Sequence, residues 1–75
     1  MITNREKLLC AERELAYRHR VYVRLVTRDK MTPNEARHEI VLMSAIVDDY
    51  RALVADEEPD LFADIQTRRA LEHGP

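Results

Sequence analysis

Met31-Thr32-Pro33-Asn34-Glu35 marks the end of one helix and the start of the next. The Thr32 hydroxyl is placed to accept from the backbone N–H of Glu35. The Glu35 carboxylate is placed to accept in return from the N–H of Thr32, the reciprocal pattern of a capping box. Pro33 falls at the first helical position, where its missing N–H is of no consequence and its fixed φ suits the helix. From there to Val54 the apolar residues keep a helical period. Ala36, Ile40, Met43, Val47, Tyr50 and Val54 are spaced 4-3-4-3-4, which forms a single seam. Leu42, Ile46 and Leu53 add a second row beside it. The two rows cover an arc of roughly 160°, whereas one partner helix needs only about 100°. A lone hairpin leaves the second row in water, so the pattern predicts a second contact surface.

Upstream, Thr3-Asn4-Arg5-Glu6 is another capping-box pattern. The spacing predicts a first helix over about 4–28 and a second over about 33–56. At about 100° per residue, Leu8, Ala11, Leu15, His19, Tyr22 and Val26 gather on one face of the first helix. Ala16 and Val23 widen one flank, Leu25 and Arg18 lie on the other, and Glu14 pairs with Arg18 one turn along. The expected seam is Leu8, Leu15, Tyr22 and Val26 against Ile40, Met43, Val47, Tyr50 and Val54. Residues 20–27 are rich in β-branched side chains and partly alternate, as a strand does. The chain holds no second strand-like segment to pair with them, which favours helix.

After Ala55 comes Asp56-Glu57-Glu58-Pro59-Asp60. Acidic residues suit a helix start better than a helix end, so Pro59 is expected to open a short third helix over about 60–72. Leu61, Phe62 and Ile65 share one side of it, and Gly74 follows its end. This segment either covers Leu42 and Leu53 within the chain or leaves them for a partner. The fold expected for residues 1–75 is a single all-α domain, an antiparallel helical hairpin with that third helix. The unfilled row predicts a homodimer in a four-helix arrangement, with Val21, Leu25, Leu42, Ile46 and Leu53 as the self-association surface.

Composition narrows the function classes. A chain of 75 residues has trouble burying enough apolar surface alone. The single cysteine, Cys10, leaves no internal disulfide and fits a reducing cytoplasm, so association is the expected way to complete the core. No apolar run approaches the roughly 20 residues needed to span a bilayer, and no signal-peptide pattern is present. The expected location is therefore the cytoplasm, away from membranes. One glycine leaves no room for a phosphate-cradling loop. The net charge of −2 conceals an asymmetry: residues 1–30 carry eight Lys/Arg against four Asp/Glu (+4), and residues 31–75 four against ten (−6). A basic helix followed by an acidic one suits antiparallel docking within a chain or between chains.

No catalytic, cofactor-binding or metal-binding set emerges, and the chain is not expected to be an enzyme. Glu35-Ala36-Arg37-His38 has the E-x-x-H spacing of di-iron bundles, but such a site needs two of these motifs and further glutamates. His38 also points away from the seam. His19 interrupts the apolar face of the first helix without metal-ligating companions one turn away. It is expected to hydrogen-bond across the hairpin, to Tyr50 or Glu39, which would make assembly pH-sensitive. Cys10 has no neighbouring histidine to act as a base, and Asp48-Asp49 have no pocket to shift a pKa. Arg13, Arg20, Arg24 and Arg28, with Tyr17 among them, line the outer face of the first helix. Such a ridge contacts phosphates or anchors a protein partner. A helix-turn-helix reader is disfavoured, because the second helix presents Arg37, His38, Asp48 and Asp49 outward, and its acids repel a duplex.

The chain also resembles short helical accessory proteins of temperate, Mu-like bacteriophages and prophages. The resemblance rests on Glu14-Leu15-Ala16 with Arg18, Arg20, Val21, Tyr22, Arg24 and Val26. It continues through Met31-Thr32-Pro33, Ala36, Glu39-Ile40, Met43, Ala45-Ile46 and Asp49-Tyr50, about 45 of the 75 residues. It implies a small non-catalytic protein inside a bacterial host cell. Such a protein binds and modulates or inhibits a host protein: a transcription regulator, a defence effector or a motor ATPase. It carries over no catalytic residues. The partner-binding residues expected are Tyr17, Arg20, Arg24 and Arg28, or the segment at Leu61 and Phe62. The alternative is a nucleic-acid-binding accessory protein that uses the arginine ridge.

Overall fold

Two threonines start two helices. α1 spans Asn4–Thr27 and α2 spans Pro33–Glu57 in the computed structural model, which describes residues 1–59. Both limits lie within one residue of the expected ones. The β-branched stretch lies inside α1, and no strand occurs among the described residues. The third helix expected over 60–72, with Leu61 and Phe62, lies outside the described residues. Among these residues, no helix is long and apolar enough to cross a membrane.

At Thr3 the capping box is complete: the Glu6 N–H donates to Thr3 Oγ1 at 3.1 Å, and the Thr3 N–H donates to Glu6 Oε2 at 2.9 Å. At Thr32 only half of it forms. The Glu35 N–H donates to Thr32 Oγ1 at 3.1 Å, but the expected return bond to the Glu35 carboxylate is not made. Both residues are exposed, so water satisfies the Thr32 N–H and the carboxylate at little cost.

The joint between the helices is a Schellman turn. The Lys30 N–H reaches the Leu25 carbonyl at 2.8 Å, and the Asp29 N–H reaches the Val26 carbonyl at 3.1 Å. Asp29 adopts φ 57°, the left-handed position that glycine usually occupies at a helix end. An aspartate tolerates it better than most residues, and the turn brings Thr32 round to cap α2.

The helices pack antiparallel with a heptad phase in both, written a to g with a and d on the seam. In α2 the seam is Ala36, Ile40, Met43, Val47, Tyr50 and Val54, all buried or half-buried, as the spacing predicts. In α1 it is Leu8, Ala11, Leu15, Arg18, Tyr22 and Leu25, also buried or half-buried throughout. The core proper is Leu8, Ala11, Met43, Val47 and Val54, with Leu15 and Tyr50 packed against it.

One expectation is overturned here. His19 is exposed and makes no hydrogen bond to Tyr50 or Glu39; Arg18 takes the inward position. Its Nη1 donates to the Glu39 carbonyl at 2.9 Å, and its Nε donates to Glu14 Oε1 at 3.0 Å. The physical reason is length. A guanidinium on a long aliphatic stem can lie along the seam and still carry its charge to polar atoms at the rim, which an imidazole cannot. Leu25, expected on a flank beside Arg18, likewise joins the seam.

Candidate interaction surfaces

The two edges of the hairpin differ in chemistry. In an antiparallel pair, e positions of one helix flank e positions of the other, and g positions flank g. The e edge is lined by cross-helix ion pairs: Arg5 Nη1 to Glu58 Oε1 at 3.5 Å, and Glu12 Oε1 to Arg51 Nη2 at 3.6 Å. The g edge holds Val21 on α1 and Ile46 and Leu53 on α2, with Leu42 one position further out. Leu42 is 47%, Ile46 37% and Leu53 45% exposed. Four of the five expected self-association residues therefore share one edge, with Val21 half-buried. The fifth, Leu25, is half-buried in the seam. On this edge the Lys7 ammonium sits 5.8 Å from the Tyr50 ring centre, and Arg18 holds Glu14 and Glu39 together.

The arginine ridge lies on the outer side of α1. Arg13, Tyr17, Arg20, Arg24 and Arg28 are all exposed. None of the four arginines makes an ion pair among the described residues. The Arg20 guanidinium stands 5.9 Å from the Tyr17 ring centre, within cation–π range. Leu61 and Phe62, the other expected partner-binding residues, lie outside the described residues. On α2 the outward side carries Glu35, Asp48, Asp49 and Asp56, all exposed.

A third apolar feature extends the flank on which Ala16 and Val23 were expected. Leu9 and Val23 on α1 and Val41 on α2 are exposed, away from the g edge. Leu9, Ala16 and Val23 recur every seven residues, the signal that marks them as one stripe. Val23 also borders a shallow apolar groove of about 250 Å³ at the joint, with Tyr22, Val26, Pro33, Ala36 and Ile40. An adjoining hollow of about 350 Å³ lies over the turn, lined by Asp29, Lys30, Thr32 and Glu35 among others.

Cys10, Glu35, His38, Asp48 and Asp49 are all exposed. Among the described residues, no three His, Cys, Asp or Glu side chains come together to hold a metal ion. The hairpin thus presents three exposed features: an apolar edge, a basic ridge and a small apolar stripe. Compared with known proteins, the chain matches no family model, no curated protein and no solved structure.

Proposed function

We propose that this chain is a non-catalytic helical binding module that modulates or inhibits a bacterial protein by covering its surface, as phage accessory proteins do. The observation that carries this reading is the Arg13–Tyr17–Arg20–Arg24–Arg28 ridge: exposed, without ion-pair partners among the described residues, and mounted on a helix of 24 residues. Arginine and tyrosine are, with tryptophan, the side chains enriched at interface hot spots, and a helix presents them on backbone that is already ordered before binding. The resemblance of residues 10–54 to accessory proteins of temperate phages supports a target in a host cell. A transcription regulator, a defence effector and a motor ATPase are all targets of that kind.

A capture experiment from bacterial lysate, with and without nuclease, tests it. The tagged chain should retain one partner near stoichiometry after nuclease, and Arg13→Glu with Arg20→Glu, exposed ridge residues away from the apolar edge, should release it. A partner that survives both substitutions overturns the ridge as the binding surface.

The arginines, unpaired among the described residues, also favour a second reading, a nucleic-acid-binding accessory protein. The exposed carboxylates of α2 weigh against it, because they face any duplex large enough to reach both helices. A mobility shift that weakens steeply with salt and vanishes with Arg20→Glu and Arg24→Glu would establish it; no shift at low salt removes it.

A further inference from the structure

The edge formed by Leu42, Ile46 and Leu53 has an arrangement of charge that identifies its occupant. The register of the hairpin is set by Asn4 against Glu57 (2.6 Å), Arg5 against Glu58, Glu12 against Arg51 and Arg18 against Glu39. Carried along both helices, it puts Tyr17 level with Leu42. Lys7 stands level with Leu53 and Asp56, and Arg24 and Arg28 stand level with Glu35. The face thus carries Val21, Leu42 and Ile46 in its middle beside Glu14 and Glu39, which Arg18 bridges, and the exposed Asp49, with cations on the α1 side of each end and anions on the α2 side.

We propose that a second copy of this chain covers this face, related by a two-fold axis that runs parallel to the helices, with both joints at the same end. That rotation lays α1 of each copy on α2 of the other. Arg24 and Arg28 then oppose Glu35 of the other copy, Lys7 opposes Asp56, and the apolar side chains meet; Asp49 comes level with Glu14, a like-charge approach that the Arg18 guanidinium beside Glu14 offsets. The alternative two-fold axis, perpendicular to the helices, lays α1 on α1 and α2 on α2 head to tail. It sets Arg24 near Lys7, Glu35 near Asp56, and Leu42 near Asp49, so like charges meet and an apolar side chain faces a carboxylate. Size agrees with the same occupant. A face about 36 Å long and two helices, about 20 Å, wide presents about 700 Å² in projection. A standard stable interface takes about 800 Å² from each partner.

The proposal is tested on the full 75-residue chain. Sedimentation equilibrium measures the mass, with Leu42→Glu and Ile46→Glu made separately and their helix content followed by far-ultraviolet circular dichroism. Two variants are needed because Ile46 is the less exposed of the two and its replacement puts the hairpin itself at greater risk. A dimer is expected, and Leu42→Glu should weaken it at least tenfold while its helix content is retained. Raising salt should weaken the wild-type dimer through its charged ends. Orientation is read by a spin label at Lys30→Cys in a Cys10→Ser background, with the dipolar distance measured between copies. Joints at the same end give a separation of about 20 Å, and joints at opposite ends give about 36 Å or more. A monomeric chain overturns the proposal and leaves residues 60–75 or another protein as the cover. A dimer indifferent to Leu42→Glu overturns the surface, and the long distance overturns the arrangement.

Discussion

Replacing Arg18 tests whether one charged side chain fixes how the two helices meet. Its side chain is 20% exposed, and it is the only charged residue on the α1 seam. The hydrogen bond to the Glu39 carbonyl crosses the hairpin at 2.9 Å. Bonds from a charged donor contribute about 1.5–3 kcal/mol, and partial exposure brings this one toward the lower end. The Glu14 pair on the same helix adds about 0.3–0.5 kcal/mol. The aliphatic stem, lying among apolar neighbours, contributes roughly 0.8 kcal/mol for each buried methylene, discounted here for its exposure. Arg18→Ala should therefore destabilise by about 2–3 kcal/mol, read as a fall in the urea midpoint of far-ultraviolet circular dichroism. Arg18→Lys is the sharper test. It keeps the charge, but one ammonium cannot reach both the Glu14 carboxylate and the Glu39 carbonyl, so about 1 kcal/mol should still be lost. Arg18→Leu should hold or raise the midpoint, because an apolar residue suits the seam. A lysine variant as stable as wild type, or an alanine variant down by less than about 0.5 kcal/mol, refutes the bridging role: that loss is no more than a surface pair supplies.

Other substitutions probe the joint and the core by the same unfolding assay. Asp29→Gly should stabilise by about 0.5–1 kcal/mol, because φ 57° strains a residue with a Cβ more than glycine's extra freedom in the unfolded chain subtracts; a lower midpoint would mean that the aspartate side chain secures the turn. Thr32→Ala should cost about 1 kcal/mol through the lost cap, whereas Glu35→Gln, at a concentration low enough to keep copies apart, should cost no more than about 0.5 kcal/mol, the share of its charge at the helix N-terminus, since its carboxylate makes no return bond; a loss as large as that of Thr32→Ala would show that the box closes in solution. Val47→Ala should cost about 2 kcal/mol, because Val47 is 2% exposed at the centre of the core. His19→Ala should shift the midpoint by less than about 0.5 kcal/mol; a larger shift would return His19 to the seam.

The start of α2 and its seam were legible because nothing interrupts their signals. Thr32 and Pro33 are a start pattern with few competing readings, and the α2 seam runs 4-3-4-3-4 with an apolar residue at every place. In α1 the same heptad contains a charge. A search for apolar side chains passes over Arg18, accepts His19 as the nearest substitute, and so turns the face by one residue between Leu15 and Tyr22. The Glu14–Arg18 pair was readable from spacing, but the bond from Arg18 to the Glu39 carbonyl was not, because its acceptor is backbone and carries no residue signature. The Schellman turn was hidden for a related reason: its left-handed position is filled by Asp29, and the usual marker there is glycine. For the candidate surfaces, surplus apolar width pointed to Leu42, Ile46 and Leu53. The difference between the two edges emerged only when register set Glu12 beside Arg51 and Arg5 beside Glu58.

The acidic end of α2 shows how an arrangement poor for one helix serves the pair. Asp56, Glu57 and Glu58 stand at the negative pole of their own helix, where they are unfavourable, and its last turn carries no basic residue. Antiparallel packing lays this end beside the positive pole of α1. There Asn4 Nδ2 donates to Glu57 Oε1 at 2.6 Å and Arg5 pairs with Glu58. The carboxylates thus favour the hairpin over either helix alone, and they favour one orientation of it. Together with Glu12–Arg51 and with Arg18, just past the middle of α1, these polar contacts set register, while the apolar seam supplies most of the adhesion. Polar contacts that fix geometry free the remaining apolar residues from that task. Leu42, Ile46 and Leu53 add little to the hairpin's own core and stay exposed, which leaves them for the second copy proposed above.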